Sequence, residues 1–133
     1  MKYILDTNIC IYLIKKKPVS VFNRLSKIKI NDAGISVITL SELEYGAEKS
    51  SYPNKNRIAL LEFASFFEIY NYDAAAASEY GIIRADLEKR GKVIGSMDML
   101  IAAQARCLNL ILVTNNEKEF KRIPGLRIEN WVK

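Results

Sequence analysis

The chain has 133 residues, 50% of them hydrophobic and 26% charged, which excludes a disordered chain and suffices for one core without disulfide or metal staples. Its net charge of +5, from 20 Lys and Arg against 15 Asp and Glu, favours an anionic partner such as nucleic acid. Histidine is absent, which rules out His general bases, Ser-His-Asp triads and His-containing zinc sites, so any enzymatic chemistry must come from carboxylates, lysines, hydroxyls or a hard ion bound through oxygen.

In chain order, residues 2–5 read as a short buried strand, cut off by Asp6-Thr7-Asn8. A helix follows with Ile9, Tyr12 and Leu13 inward, ending at Lys15-Lys16-Lys17-Pro18. Pro18 suits the first turn of a second helix carrying Val21, Phe22 and Leu25. Residues 33–37 form the second strand, and Thr39 opens a third helix with Leu40, Leu43 and Ala47 as its apolar stripe. A turn around Tyr52-Pro53-Asn54 leads to a helix through Leu61, Ala64 and Phe67, then a strand over 69–72. Asp73 and Gly91 bracket a long helix burying Ala76, Tyr80, Ile83 and Leu87. The spacing predicts a further helix over 96–109 with Met97, Ile101, Ala105 and Leu108 on one face, a strand over 110–114 and a weak last strand over 127–132. Cys10 and Cys107 sit singly in these helical patterns, as small buried hydrophobes.

No repeat, low-complexity stretch or linker divides the chain, so residues 1–133 are expected to form one domain. No apolar run approaches the roughly 20 residues of a membrane span, and the chain enters its first strand without a leader, so a cytoplasmic location is expected. Strands alternating with helices imply an α/β fold with a parallel sheet covered on both faces. In such sheets ligands bind beyond the carboxyl ends of the strands.

Three acids fall there. Asp6 follows the first strand, Glu42 lies in the first turn of the helix after the second, and Asp98 lies in the first turn of the helix before the strand over 110–114. Each has a plain structural reading: Asp6 as an N-cap, Glu42 as the partner of Thr39 in a capping box, Asp98 as a first-turn acid behind a Ser96 cap. Jointly they point elsewhere, because clustered carboxylates repel in a partly dry site and a hard cation relieves that penalty. Gly46, Lys49 and Ala102 leave small or cationic neighbours on the stripes of Glu42 and Asp98.

The motifs Leu5-Asp6-Thr7-Asn8, Ser41-Glu42-Leu43-x-Tyr45-Gly46, Asp98-x-x-Ile101-Ala102-Ala103-x-Ala105 and Val113-Thr114-Asn115-Asn116 closing on Glu119-Phe120 resemble PIN-domain nucleases, most of all the VapC toxins of bacterial toxin–antitoxin pairs. The resemblance runs almost end to end, taking in Tyr72 to Ala77 at the start of the long helix and the final Trp131. It implies a three-layer α/β/α fold with a short, mostly parallel sheet and a Mg²⁺- or Mn²⁺-dependent endoribonuclease. Asp6, Glu42 and Asp98 would be its catalytic and metal-binding acids, with Asp6 and Asp98 the chief ligands. Where many members carry a fourth Asp, this chain has Asn116; Glu119 is near enough in sequence to substitute, and Thr114 would orient a ligand or a water.

Water attack in such a site leaves 5′-phosphate and 3′-hydroxyl ends, whereas a histidine ribonuclease would leave a cyclic phosphate. Basic residues available to grip RNA are Lys15, Lys16, Lys17, Lys49, Lys89, Arg90, Lys92, Lys118, Lys121 and Arg122. The resemblance further implies tRNA as substrate, with the anticodon region of initiator tRNA as the sharpest expectation. It also implies a VapB antitoxin that lays an apolar segment between helices and sends a basic residue toward the acids, and a homodimer built into a larger toxin–antitoxin complex. The competing reading is a catalytically weak PIN-like module that only binds RNA or protein.

Overall fold

The computed structural model describes residues 2–133. Aliphatic and β-branched runs form five short strands: β1 (Tyr3–Leu5), β2 (Ala33–Ser36), β3 (Glu68–Tyr70), β4 (Ile111–Val113) and β5 (Ile128–Glu129). Between them lie α1 (Thr7–Lys15), α2 (Val19–Ser26), α3 (Val37–Glu48), α4 (Pro53–Ala64), α5 (Ala74–Lys89), α6 (Ser96–Cys107) and α7 (Glu117–Phe120). A 3₁₀ turn over Ile30–Asp32, which the sequence pattern did not signal, leads into β2. The strands pair in the order β3-β2-β1-β4-β5, and every pairing is parallel, where a mostly parallel sheet was expected.

Alternation along the strands builds two cores, one on each face. Ile4 and Leu112 point into the first, with Ile83 and Leu87 of α5, Met99 and Ile101 of α6, and Phe120 of α7. Leu5, Ile35 and Val113 point into the second, with Ile9, Cys10 and Leu13 of α1, Val21 of α2, Leu43 of α3, Leu60 of α4 and Trp131. These are the three layers expected. No helix of the described residues is long and apolar enough to cross a membrane.

The long helix α5 has the predicted ends. The Asp73 carboxylate accepts the Ala76 backbone N–H at 2.9 Å. At the other end Gly91 adopts φ +66, and the Gly91 and Lys92 amides return to Glu88 and Leu87 carbonyls, a Schellman closure that a left-handed glycine permits.

Elsewhere the elements end short of the sequence reading or turn a different face inward. β2 stops at Ser36, β3 covers Glu68–Tyr70 in place of 69–72, and β5 has only Ile128–Glu129. Helix α4 buries Leu60 and leaves Leu61 74% exposed; Phe67 lies past its end. One residue of offset is about 100° on a helix, enough to turn a side chain from core to solvent. Helix α6 is wedged between the sheet and α5, so it buries Met99 and Ile101 through Ala105, while Met97 and Leu108, at its two ends, protrude. Phe22 is also exposed, and Cys107 is only partly covered, whereas Cys10 is fully buried as expected.

Gly34, in the middle of β2, is required by contact. A Cβ there would lie 2.4 Å from Tyr70 Cε2 and 2.9 Å from the Glu68 carbonyl oxygen of the neighbouring strand. The ring can shift but the paired backbone cannot, so Gly34→Ala is expected to cost about 2 kcal/mol in urea unfolding. Trimming Tyr70 to Leu in the same chain should recover only part of that loss.

Candidate active site

The strand order reverses its direction of growth at β1. From there the chain adds β2 and β3 on one side, then β4 and β5 on the other, so the crevice at the carboxyl ends of β1 and β4 is the topological switch point. Helices that follow a strand begin at this edge. A helix that precedes a strand runs back across the sheet, so it too begins there. Hence α1, α3 and α6 all begin at one place, with Asp6 capping α1, Glu42 in the second turn of α3 rather than the expected first, and Asp98 in the first turn of α6.

Asp6 is the N-cap of α1: its Oδ1 accepts the Ile9 N–H at 2.9 Å, and its own N–H donates to the Val113 carbonyl at 3.1 Å, tying it to the end of β4. It is only 5% exposed. Burial pushes its carboxyl from the ordinary 3.8 to about 6; the Thr114 hydroxyl and the Ile9 N–H pull it down, and the charges of Asp98 and Glu42 push it up again. The capping reading is therefore right as far as it goes, but a cap lowers a carboxyl, and the rise comes from burial first and then from the neighbouring acids. Asp98 is half-buried, and its carboxyl is raised by burial, then by Glu119, then by Glu42.

The expected capping box does not form. Ser36, not Thr39, caps α3, its Oγ accepting the Ile38 N–H at 2.9 Å. The Ser36 hydroxyl donates in turn to Gln104 Oε1, and Gln104 Nε2 donates to the Tyr70 carbonyl at 3.2 Å. This buried chain ties the start of α3 to the middle of α6, fixing the helix of Glu42 against the helix of Asp98. Glu42 therefore sits in the second turn of α3, and its Oε1 accepts a 2.6 Å hydrogen bond from Thr7 Oγ1. Nor does Ser96 cap α6; Gly95 takes that position and no side chain closes it, because the chain arrives extended at Gly95 and Ser96 is already helical.

Thr114 is fully buried behind Asp6, and its Oγ1 accepts the Asn116 N–H at 2.9 Å. Asn116 precedes α7 without capping it. Glu119, on α7, is partly buried and close enough to act on Asp98. Four carboxylates thus share one electrostatic neighbourhood. As the side chains stand, no three acids among the described residues converge tightly enough to grip an ion between them. The donor set nonetheless suits a hard cation: it is all oxygen, and the ionised forms of Asp6 and Asp98 are disfavoured where they sit.

Thr7, Ser36 and Gln104 escaped sequence reasoning; Thr7 lay inside the Asp6-Thr7-Asn8 motif, but Ser36 and Gln104 gave no signal beyond a strand end and a helix interior. Of the basic residues expected to grip RNA, Arg90 is bound to Asp86 at 2.6 Å and to the Arg122 carbonyl, and Arg122 donates to the Val93 carbonyl. Lys49 lies over the Tyr45 ring at 4.8 Å. Lys15 borders an apolar groove of about 330 Å³ between α1, α3 and α4, lined by Ile11, Ile14, Leu43, Ala59 and Leu60, with Glu42 at its rim.

A five-stranded parallel sheet of this order, with acids gathered at one edge, is the architecture of the PIN domain, and a model of that family matches residues 3–126. The chain is 48% identical over 131 residues, 98% of either chain, to the tRNA(fMet)-specific endonuclease VapC of Shigella flexneri. Two crystal structures of complexes overlay with a TM-score of 0.93: VapBC2 from Rickettsia felis on a promoter DNA fragment, at 47% identity over 98% of this chain and 99% of that one, and DNA-bound VapBC from Salmonella typhimurium, at 46% identity over 98% of each chain. The chain belongs to the PIN-domain family and, within it, to the VapC ribonucleases.

Proposed function

We propose that the chain is the toxin of a VapBC-type pair: a single-domain, metal-dependent endoribonuclease of the cytoplasm that cuts tRNA, with the anticodon region of initiator tRNA as its target. The observation that carries this is Asp6, buried at the switch point of the sheet and raised to about 6 partly by Asp98 and Glu42. Folding has enclosed a carboxylate beside two others, an arrangement that a cap does not need and a cation site does.

Asp6 and Asp98 would hold Mg²⁺ or Mn²⁺, with Glu42 completing the site and Glu119 adding a fourth charge. When bound, such an ion activates water for in-line attack and stabilises charge on the phosphoryl oxygens. Thr114, whose hydroxyl lowers the Asp6 carboxyl, would help to orient that carboxylate. Glu42 would orient the attacking water or take its proton. With no histidine to activate a 2′-hydroxyl, the chain leaves 5′-phosphate and 3′-hydroxyl ends.

The relatives crystallised as VapBC complexes support an antitoxin partner; a homodimer within a larger assembly is part of the same proposal. The apolar groove beside Glu42 has the chemistry for an antitoxin segment carrying a cation toward the acids.

Incubating the antitoxin-free protein with total tRNA tests the reading. Cleavage with Mg²⁺ or Mn²⁺ at one site in initiator tRNA, carrying 5′-phosphate ends and stopped by EDTA, is the expected result. Cyclic-phosphate ends, or cutting that survives EDTA, would overturn the metal mechanism; intact initiator tRNA among other cut species would overturn the substrate.

A further inference from the structure

Glu42 is held by more than its own helix. Its Oε1 accepts from Thr7 Oγ1 at 2.6 Å, and Thr7 Oγ1 lies 3.4 Å from Thr39 Oγ1. Thr39 is fully buried and has no capping duty, because Ser36 performs it. A threonine hydroxyl has one proton to donate, and an ionised carboxylate can only accept. The Thr7 proton therefore goes to Glu42, and the Thr39 hydroxyl donates to Thr7.

We infer that Thr7 is a positioning residue: the relay from Thr39 through Thr7 holds the Glu42 carboxylate at the acidic site by its Oε1 and leaves Oε2 for the ion or the attacking water. The inference rests on the nuclease reading above and extends it. Glutamate has three rotatable bonds, and repulsion from Asp6 and Asp98 favours rotamers that swing the charge toward solvent. A short hydrogen bond to a charged acceptor opposes that swing. The anchor is also well placed, since Thr7 immediately follows Asp6, so the end of β1 sets both carboxylates from two adjacent residues. A threonine in the first position of a helix with no such duty would turn its hydroxyl to water.

The test is a Mn²⁺ titration of the metal-free protein by calorimetry, beside tRNA cleavage and thermal unfolding. It uses the wild type, Thr7→Ser, Thr7→Val, Thr7→Ala, Thr39→Val, Glu42→Ala and the Thr7→Val/Glu42→Ala double variant. Removing a residue that orients a ligand costs about 10- to 100-fold in metal affinity or turnover. Thr7→Val and Thr7→Ala are expected to lose about tenfold or more in both readouts, and Thr39→Val less. Thr7→Ser, which keeps the hydroxyl, should stay within about twofold of wild type, and Thr7→Val should add nothing once Glu42 is Ala. Thr7→Ala introduces no new methyl contact, so it decides the matter if valine unfolds the chain. Wild-type behaviour of the Val and Ala variants, failure of serine to rescue, or an undiminished Thr7→Val effect in the Glu42→Ala background would overturn the role of Thr7 while leaving the nuclease reading intact. A wild-type protein that neither binds Mn²⁺ nor cuts tRNA would overturn the nuclease reading, and this inference with it.

Discussion

Asp6→Asn is expected to abolish tRNA cleavage and, in EDTA, to make the protein more stable. Raising a buried carboxyl from 3.8 to about 6 means that the fold holds the charged form at a disadvantage of about 3 kcal/mol. The sign follows from the direction of the shift. Well below 3.8 the group is protonated folded and unfolded, and nothing is lost; as pH rises from 3.8 to about 6 only the unfolded chain ionises readily, so stability falls across that window and the loss is complete above about 6. Asparagine keeps an oxygen for the Ile9 N–H but carries no charge. In urea unfolding without metal, variant and wild type should match at about pH 3 and diverge toward about 3 kcal/mol at pH 7.5. Saturating Mg²⁺ should stabilise the wild type and leave the variant unchanged, since an ion bound only by the folded state adds its binding free energy. Equal stabilities at both pH values would show that Asp6 carries no electrostatic load.

The second large effect separates Glu119 from Asn116 as the fourth oxygen. Asp98→Ala is expected to slow cleavage by about 10³-fold or more, because it removes a carboxylate that would hold the ion stabilising the charge that develops during the reaction. Glu119 is the neighbouring charge that raises the Asp98 carboxyl most, after burial itself. Asn116 places its backbone N–H on Thr114, a bond that alanine would preserve. Glu119→Gln should therefore cost about 10- to 100-fold in cleavage and in Mn²⁺ affinity, and Asn116→Ala less than about threefold. Calorimetry at constant ionic strength distinguishes the two. An unchanged Mn²⁺ affinity in Glu119→Gln would return that residue to the role of a helix surface charge.

The alternation of elements and the place of Asp6, Glu42 and Asp98 were readable in the chain itself. Strand-length aliphatic runs, the Asp73 and Gly91 stops of α5 and acids next to strand ends are local signals, and the missing histidine narrowed the chemistry before any contact was known. The wrong faces and caps share one cause, which is that periodicity shows a helix to be amphipathic without showing how many neighbours it will have. Helix α6 is wedged between sheet and α5, so its whole middle is buried, Gln104 included, and its two ends are not. Helix α4 meets the core through Leu60, one residue from the expected Leu61. Thr39 and Ser36 are equally good caps by residue type; only the end of β2 decides that Ser36 takes the position and that Thr39 turns inward toward Thr7. The push of Asp98 on Asp6, the reach of Glu119 to Asp98 and the Ser36–Gln104 link across two helices join residues 21 to 92 positions apart, and chain crossings of that span are set by tertiary packing alone.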